Sequence, residues 1–216
     1  MRRLAVLLGL VLALSCAWIA PALAGSSDDE SIAEDSVLTE SDVADYGLTE
    51  EEPSDDPPPS GAVCKQIRTV VNAADNRPHA VTAFSDNAGT DAESRVVVYP
   101  SVRATKKPLA AYLGTRAERC LTSAIESELQ ENLEPGSSYE FELPVNDIPL
   151  GDEGFAYQGV ISITEPDGTV TDLYVEFGII RVGRGVAVLD FSGVGSPFPG
   201  SEDLATLVVD NLESNL

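Results

Sequence analysis

Few side chains in this chain are spaced for covalent chemistry. His79 is the single histidine, and Ser85 and Asp86 follow it closely enough to suggest a nucleophile, base and acid. No Gly-x-Ser-x-Gly elbow presents a serine, however, and a histidine beside Pro78 in a loop reads as an exposed structural residue. Asp152-Glu153, and Glu140 with Glu142, offer the paired carboxylates that glycoside hydrolysis needs. With 36 Asp and Glu in the chain, such pairs arise from abundance alone. Asp86, Asn87, Asp91 and Glu93 gather oxygen ligands in one polar stretch, but without the alternating spacing of a calcium loop. That stretch reads as solvated loop. The expectation is a protein with no catalytic residues, no metal and no cofactor: not an enzyme.

Two cysteines carry clearer chemistry, through the compartment the N-terminus implies. Arg2 and Arg3 precede an apolar run from Leu4 to Leu14, and Ala22-Leu23-Ala24 makes a small-x-small cleavage site. This is the pattern of an export signal cut after Ala24, its apolar core too short to span a bilayer. Cys64 and Cys120 then face an oxidising space, where an even count reads as one disulfide. Closing a loop of about 55 residues, the bridge contributes roughly 3–4 kcal/mol in the loop-entropy model. Metal binding by the pair lacks further ligands. Cys16 raises lipidation as an alternative, but Ala13-Leu14-Ser15 puts the branched residue two positions before the cysteine instead of three. The reading is free secretion, with membrane attachment only if Cys16 is lipidated.

Arg181 continues the strand face of Leu173, Val175, Phe177 and Ile179. Asp190 shares that face on the returning strand, whether the turn is Gly183-Arg184 or Arg184-Gly185. A guanidinium there needs a partner, because an isolated buried charge costs several kcal/mol. Two roles stay open. One is a structural Arg181–Asp190 pair at the sheet edge. The other is an anion-reading Arg181 at a cleft mouth, with Tyr157 as its aromatic wall, in a pocket mostly apolar with a few converging polar groups.

Those residues need elements to hold them. The spacing of Val63, Ile67, Val70 and Val71 predicts helical turns over 63–71. Strands are predicted at 80–85 and 95–99, around a polar loop over 86–93. Leu109, Leu113, Ala117, Leu121, Ile125 and Leu129 recur every four residues within a helical region over 102–133. Gly114 offers a break there, and Pro135-Gly136 a stop. Strands follow at 139–145, 157–164, 170–182 and 186–191, with Glu165-Pro166-Asp167-Gly168 as a turn. A final helix capped by Ser201 carries Leu204, Leu207, Val208 and Leu212 on one stripe. On the 170–182 strand Tyr174, Ile180 and Val182 are apolar opposite the Leu173–Ile179 face, so both faces of the sheet need cover. The fold class is mixed α/β (α+β): a central antiparallel sheet with helices packed on its faces.

Residues 1–24 are the signal, 25–35 an acidic tether, and 36–216 one domain. Its first part, 36–60, is a loosely attached, acidic, proline-rich lead-in. Between 25 and 60 there are 13 acids and no base. Within that stretch Thr39 can cap a short helix with Asp42, and Gly47 can end it. Val37, Leu38, Val43 and Leu48 then dock on the body; disorder is the competing reading. A net charge of −23 repels phosphate backbones and anionic membranes, which argues against nucleic acid.

The order of features resembles the extracellular sensor-type domains of actinobacteria, the PknH-like group, which occur on membrane kinases and as secreted or lipid-anchored proteins. The matching pieces are Leu38-Thr39-x-x-Asp42, Cys64, Val96-Val97-Val98-Tyr99-Pro100-Ser101 and the helix carrying Cys120. Gly154-Phe155-Ala156-Tyr157, Ile180-Arg181-Val182-Gly183 and the closing helix complete the resemblance, which spans 36–216. It implies a mixed α/β domain with a ligand cleft and without known catalytic residues. One cysteine pair, and no kinase or transmembrane segment, set this chain apart from the kinase-linked members, so signalling is not carried over. The expected function is a secreted cell-envelope binding or sensor-type module without catalysis, its ligand an unknown small molecule or envelope component. Alternatives are a secreted hydrolase, or an acidic protein recruiting a basic envelope partner through residues 25–60.

Overall fold

A computed structural model describes residues 27–53, 58–86 and 88–216. The export signal with Cys16, Pro57 and Asn87 lie outside the described residues. Eight strands form one sheet: β1 (Thr49–Glu51), β2 (His79–Ser85), β3 (Asp91–Val98), β4 (Ser138–Glu142), β5 (Val145–Asp147), β6 (Glu153–Thr164), β7 (Val170–Val182) and β8 (Gly185–Val194). Their order is β1-β2-β3-β8-β7-β6-β4, with β5 also pairing β6. Every pairing is antiparallel. The helices are α1 (Ser27–Glu34), α2 (Glu40–Val43), α3 (Lys65–Ala74), α4 (Val102–Ala111), α5 (Thr115–Asn132) and α6 (Ser201–Asn215).

The two faces of the sheet build two separate cores. On the first face Ile67 and Val71 of α3, Leu109 of α4, and Leu121, Ile125 and Leu129 of α5 pack against Phe155, Tyr157, Phe177 and Ile179. On the second, Val208 and Leu212 of α6 join Ala33, Val37, Leu38 and Val43 against Phe84, Val96, Ile180 and Leu189. Each such side chain contributes about 1.5–3 kcal/mol by leaving water. Two-faced burial explains why β7 and β8 read as apolar runs instead of alternating. The mixed α/β class and the antiparallel sheet with helices on its faces are what the structure has.

Local chemistry sets the boundaries. Gly114 adopts φ 85 and separates α4 from α5, so the long helical stripe is two helices. Gly183 takes φ 52 in the β7–β8 turn, and its N–H donates to Asp152 Oδ2 at 2.7 Å. Asp42 Oδ2 accepts from the Thr39 N–H at 2.7 Å, and Gly47 with φ 74 closes the following 3-10 turn. Val37, Leu38, Val43 and Leu48 are buried, so this stretch, 37–48, packs on the body. Several boundaries differ from the sequence-based expectation, among them β6, which begins at Glu153 instead of 157. Residues 27–34, inside the expected tether, are helical, and Asp29 Oδ1 meets Arg184 Nη2 at 2.6 Å. The expected 139–145 strand is two short strands, β4 and β5. Ser201 is the first helical residue of α6, and Gly200 holds the cap position. Most consequential, β3 begins at Asp91, so Asp91 and Glu93 are buried strand residues and not loop.

Candidate functional site

Arg181 and Tyr157 do not form one site. Tyr157 pairs in register with Phe177, and Arg181 with Glu153, four residues away along both strands. Tyr157 is fully buried, and its hydroxyl donates to the Tyr112 carbonyl at 2.6 Å. Burial pushes its phenol up to about 12. It is a core strut with no wall facing a cleft. Arg181 Nη1 binds Asp152 Oδ2 at 2.8 Å, just before β6, and its Nε lies 3.6 Å from Oε2 of Glu153, the first residue of β6. The expected Arg181–Asp190 pair is absent. Arg181 opposes Val186 near the turn, whereas Asp190 opposes Phe177. Shared parity put both on one face, but the register separates them by about 13 Å at 3.3 Å per residue.

Cys64 and Cys120 are joined, with Cα atoms 4.9 Å apart, and both are buried. The bridge ties the start of α3 to α5 and so holds the helical layer of the first face together. Among the described residues, no group of three or more His, Cys, Asp or Glu is placed to hold a metal ion. Among them too, no helix is long and apolar enough to cross a membrane.

The open surface lies elsewhere. On the second face the core built by α1, α2 and α6 takes in Phe84, Val96, Ile180, Leu189 and Phe191 but no side chain of β4. The face carried by β4, β6 and the first half of β7 continues past that cover. There Glu142, Val160 and Tyr174 form one register row, Glu140, Ser162 and Asp172 a second, and Gln158 with Glu176 a third. Two depressions of about 290 and 510 Å³ share Gln158, Gly159 and Val160 and make one continuous groove. Phe191, Pro197 and Phe198 wall its inner end. Gly159 permits the outer wall, since a Cβ there would overlap the Glu142 carbonyl oxygen. Four carboxylates, Glu140, Glu142, Asp172 and Glu176, stand on this strand face, and no Lys or Arg lines either depression.

Tyr174 was expected to be mostly buried and is only half-buried, because helical cover ends before it. The signal was in β7 itself. Asp172 and Glu176 flank Tyr174 on that face, and only from Gly178 onward does the face turn wholly apolar. Polar alternation over the first half, and none over the second, is the pattern of a half-covered face.

A second polar group lies inside the protein. Glu93, Asp190, Phe177 and Tyr157 form one row across the sheet, with Asp91 and Ser192 in the row beside it. Asp91, Glu93 and Asp190 are all buried. Ser192 Oγ donates to Asp91 Oδ2 at 2.9 Å, yet burial lifts this carboxyl from 3.8 to about 7, with Glu51 and Asp86 adding to the rise. Burial, then Glu93, Asp91 and Glu176, hold Asp190 well above the carboxylate range. These acids lie inside the protein and outside the groove. Sequence reasoning missed them because it placed Asp91 and Glu93 in a loop.

No protein-family model matches the chain, and no curated protein matches it. Its fold is similar to that in the crystal structure of the extracellular domain of PknH from Mycobacterium tuberculosis. The TM-score is 0.48 at 12% identity, over 86% of this chain and 96% of that one.

Proposed function

We propose that this protein is an extracytoplasmic binding module without catalytic chemistry, and that the uncovered half of its sheet is the recognition surface. The carrying observation is the groove over β4, β6 and β7. It is an exposed, side-chain-lined sheet face whose size falls within that of ligand sites. The carboxylates that line it, Glu140, Glu142 and Glu176, and the Tyr174 ring favour a cationic occupant, which gains both charge complementarity and cation–π contact. An extended basic peptide segment suits a surface three strands wide. The disulfide and the N-terminal signal pattern support the compartment.

Deleting residues 25–60 does not distinguish groove binding from capture by the acidic lead-in, because Ala33, Val37, Leu38, Val43 and Leu48 belong to the core. Charge neutralisation does. Tetralysine titrated calorimetrically into the mature protein should bind. The double variant Glu142→Gln/Glu176→Gln should bind about 5–30-fold more weakly, the equivalent of roughly 1–2 kcal/mol for two exposed charge contacts. Unchanged affinity in that variant, with loss on neutralising Glu50, Glu51 and Glu52 instead, places recognition in the lead-in and overturns the proposal.

A further inference from the structure

Arg95 lies at the middle of β3, opposite Val188, with its side chain on the first face and 6% exposed. Its one ion pair among the described residues is with Asp75, from Nη1 to Oδ1 at 3.4 Å. That is long for a charge-assisted bond, which closes to about 2.7–2.9 Å. Nε and Nη2 have no hydrogen-bond partner there. Buried donors are almost always satisfied, so two unmet ones on a single guanidinium mark a place where something else binds.

The same side chain lines a cavity of about 30 Å³ between α3, α4 and the sheet. Val71 and Ala74 of α3, Pro108 of α4, and Tyr99 and Tyr112 form its walls, and Arg95 is the one charged group among its lining residues. At about 10–15 Å³ per water, the space holds two waters or one ion of chloride or formate size.

Charges of both signs lie around it, but Arg95 is the charged side chain that borders the space. Asp75 occupies the C-terminal cap of α3, where the helix dipole disfavours a carboxylate. Burial raises its pKa, against the lowering effect of Arg95 and His79. Arg77 stacks over the Tyr99 ring, its Cζ 5.9 Å from the centroid. Arg103, Lys106 and Lys107 are exposed on α4. Glu93 is the neighbouring acid on the same face of β3, and its register partner Asp190 holds a proton well above the carboxylate range. In a chain of net charge −23, nine of the 13 Lys and Arg fall between Lys65 and Arg119, against five acids. Seven of these bases lie on α3, α4 and the first turns of α5.

We infer that this cavity is a binding site for one small monovalent anion, a halide or a carboxylate of formate size, held by Nε and Nη2 of Arg95. The apolar walls select by size, and the interior position makes the ion part of the packing between the helical layer and β3. This site is independent of the open groove on the opposite face.

The test uses the disulfide-intact mature protein. Its thermal midpoint is followed in chloride, bromide and formate against gluconate, which is too large to enter, at constant ionic strength. Stabilisation should saturate as for a single site in the small anions and be missing in gluconate. ³⁵Cl NMR line broadening by the protein should be reversed by formate. Arg95→Met should weaken chloride binding at least tenfold, and Ala74→Leu, which fills the cavity while keeping the arginine, should do the same. Equal midpoints in all four salts, with no chloride broadening in the wild-type protein, mean that the cavity holds two waters and overturn the inference. That comparison needs no variant to fold.

Discussion

Replacing Asp91 with asparagine should flatten the dependence of stability on pH. In the folded protein this carboxyl is buried against Ser192 and raised from 3.8 to about 7. Below pH 3.8 the folded and unfolded chains both hold the proton, and its contribution to stability is complete. Between there and about 7 only the folded chain keeps it, so each step up in pH favours unfolding. Above about 7 the contribution is gone. At 1.36 kcal/mol per tenfold, the displacement corresponds to about 4 kcal/mol between pH 4 and pH 8. That is a large part of the 5–15 kcal/mol typical of a domain. Asp190 and Asp75 are raised by burial as well and steepen the same slope. An asparagine in place of Asp91 can still accept from Ser192 but cannot ionise. Denaturant unfolding at pH 4.5 and pH 8 measures both proteins. The wild type should lose several kcal/mol on going to pH 8, and the variant should lose about 3 kcal/mol less. Any fixed cost of burying the amide shifts both pH values equally and leaves the difference intact. A wild type equally stable at the two pH values, or a variant with the wild-type slope, would refute the reasoning.

Three further outcomes follow from the geometry. Removing the bridge with Cys64→Ser/Cys120→Ser should cost about 3–4 kcal/mol in denaturant unfolding, because it frees a loop of 56 residues; a loss under 1 kcal/mol contradicts this. Arg181→Met should change the melting temperature by no more than a few degrees, since the partners Asp152 and Glu153 are half exposed and such pairs contribute about 0–1 kcal/mol. Global unfolding of that variant would show a structural role the ion pairs do not account for. Gly159→Ala should destabilise by roughly 1–3 kcal/mol and displace β4, because the new methyl overlaps the Glu142 carbonyl; neutral stability would mean that the outer groove wall is looser than described.

Much of this fold can be read from residue patterns, and the failures have physical causes. β7 is legible end to end because its apolar run is bounded by Gly168 and Gly183, both with positive φ. The cysteine pair is legible because the compartment and the count leave no other partner. Asp91 and Glu93 are not, because carboxylates at the start of a strand look like loop. Only the register against β8 shows them buried. Arg181 and Asp190 show the limit of parity: alternation gives the face of a strand residue, while distance along the strand depends on which residues pair across the turn. The helix at 27–34 is hidden by acidic composition, since its docking rests on Ala33 and on an ion pair to Arg184, 155 residues away. The groove was legible in part. Asp172 and Glu176 signal a wet half-face, but Gly159, which shapes its wall, carries no signal without the fold.

The proposal that the uncovered sheet face is a recognition surface is tested most directly by amide chemical-shift mapping of the isotope-labelled chain. With tetralysine as the probe, the account predicts shifts that saturate and cluster on β4, β6 and the first half of β7, around Glu142, Val160, Tyr174 and Glu176. Shifts confined to residues 28–52, or none at saturating peptide, would contradict it.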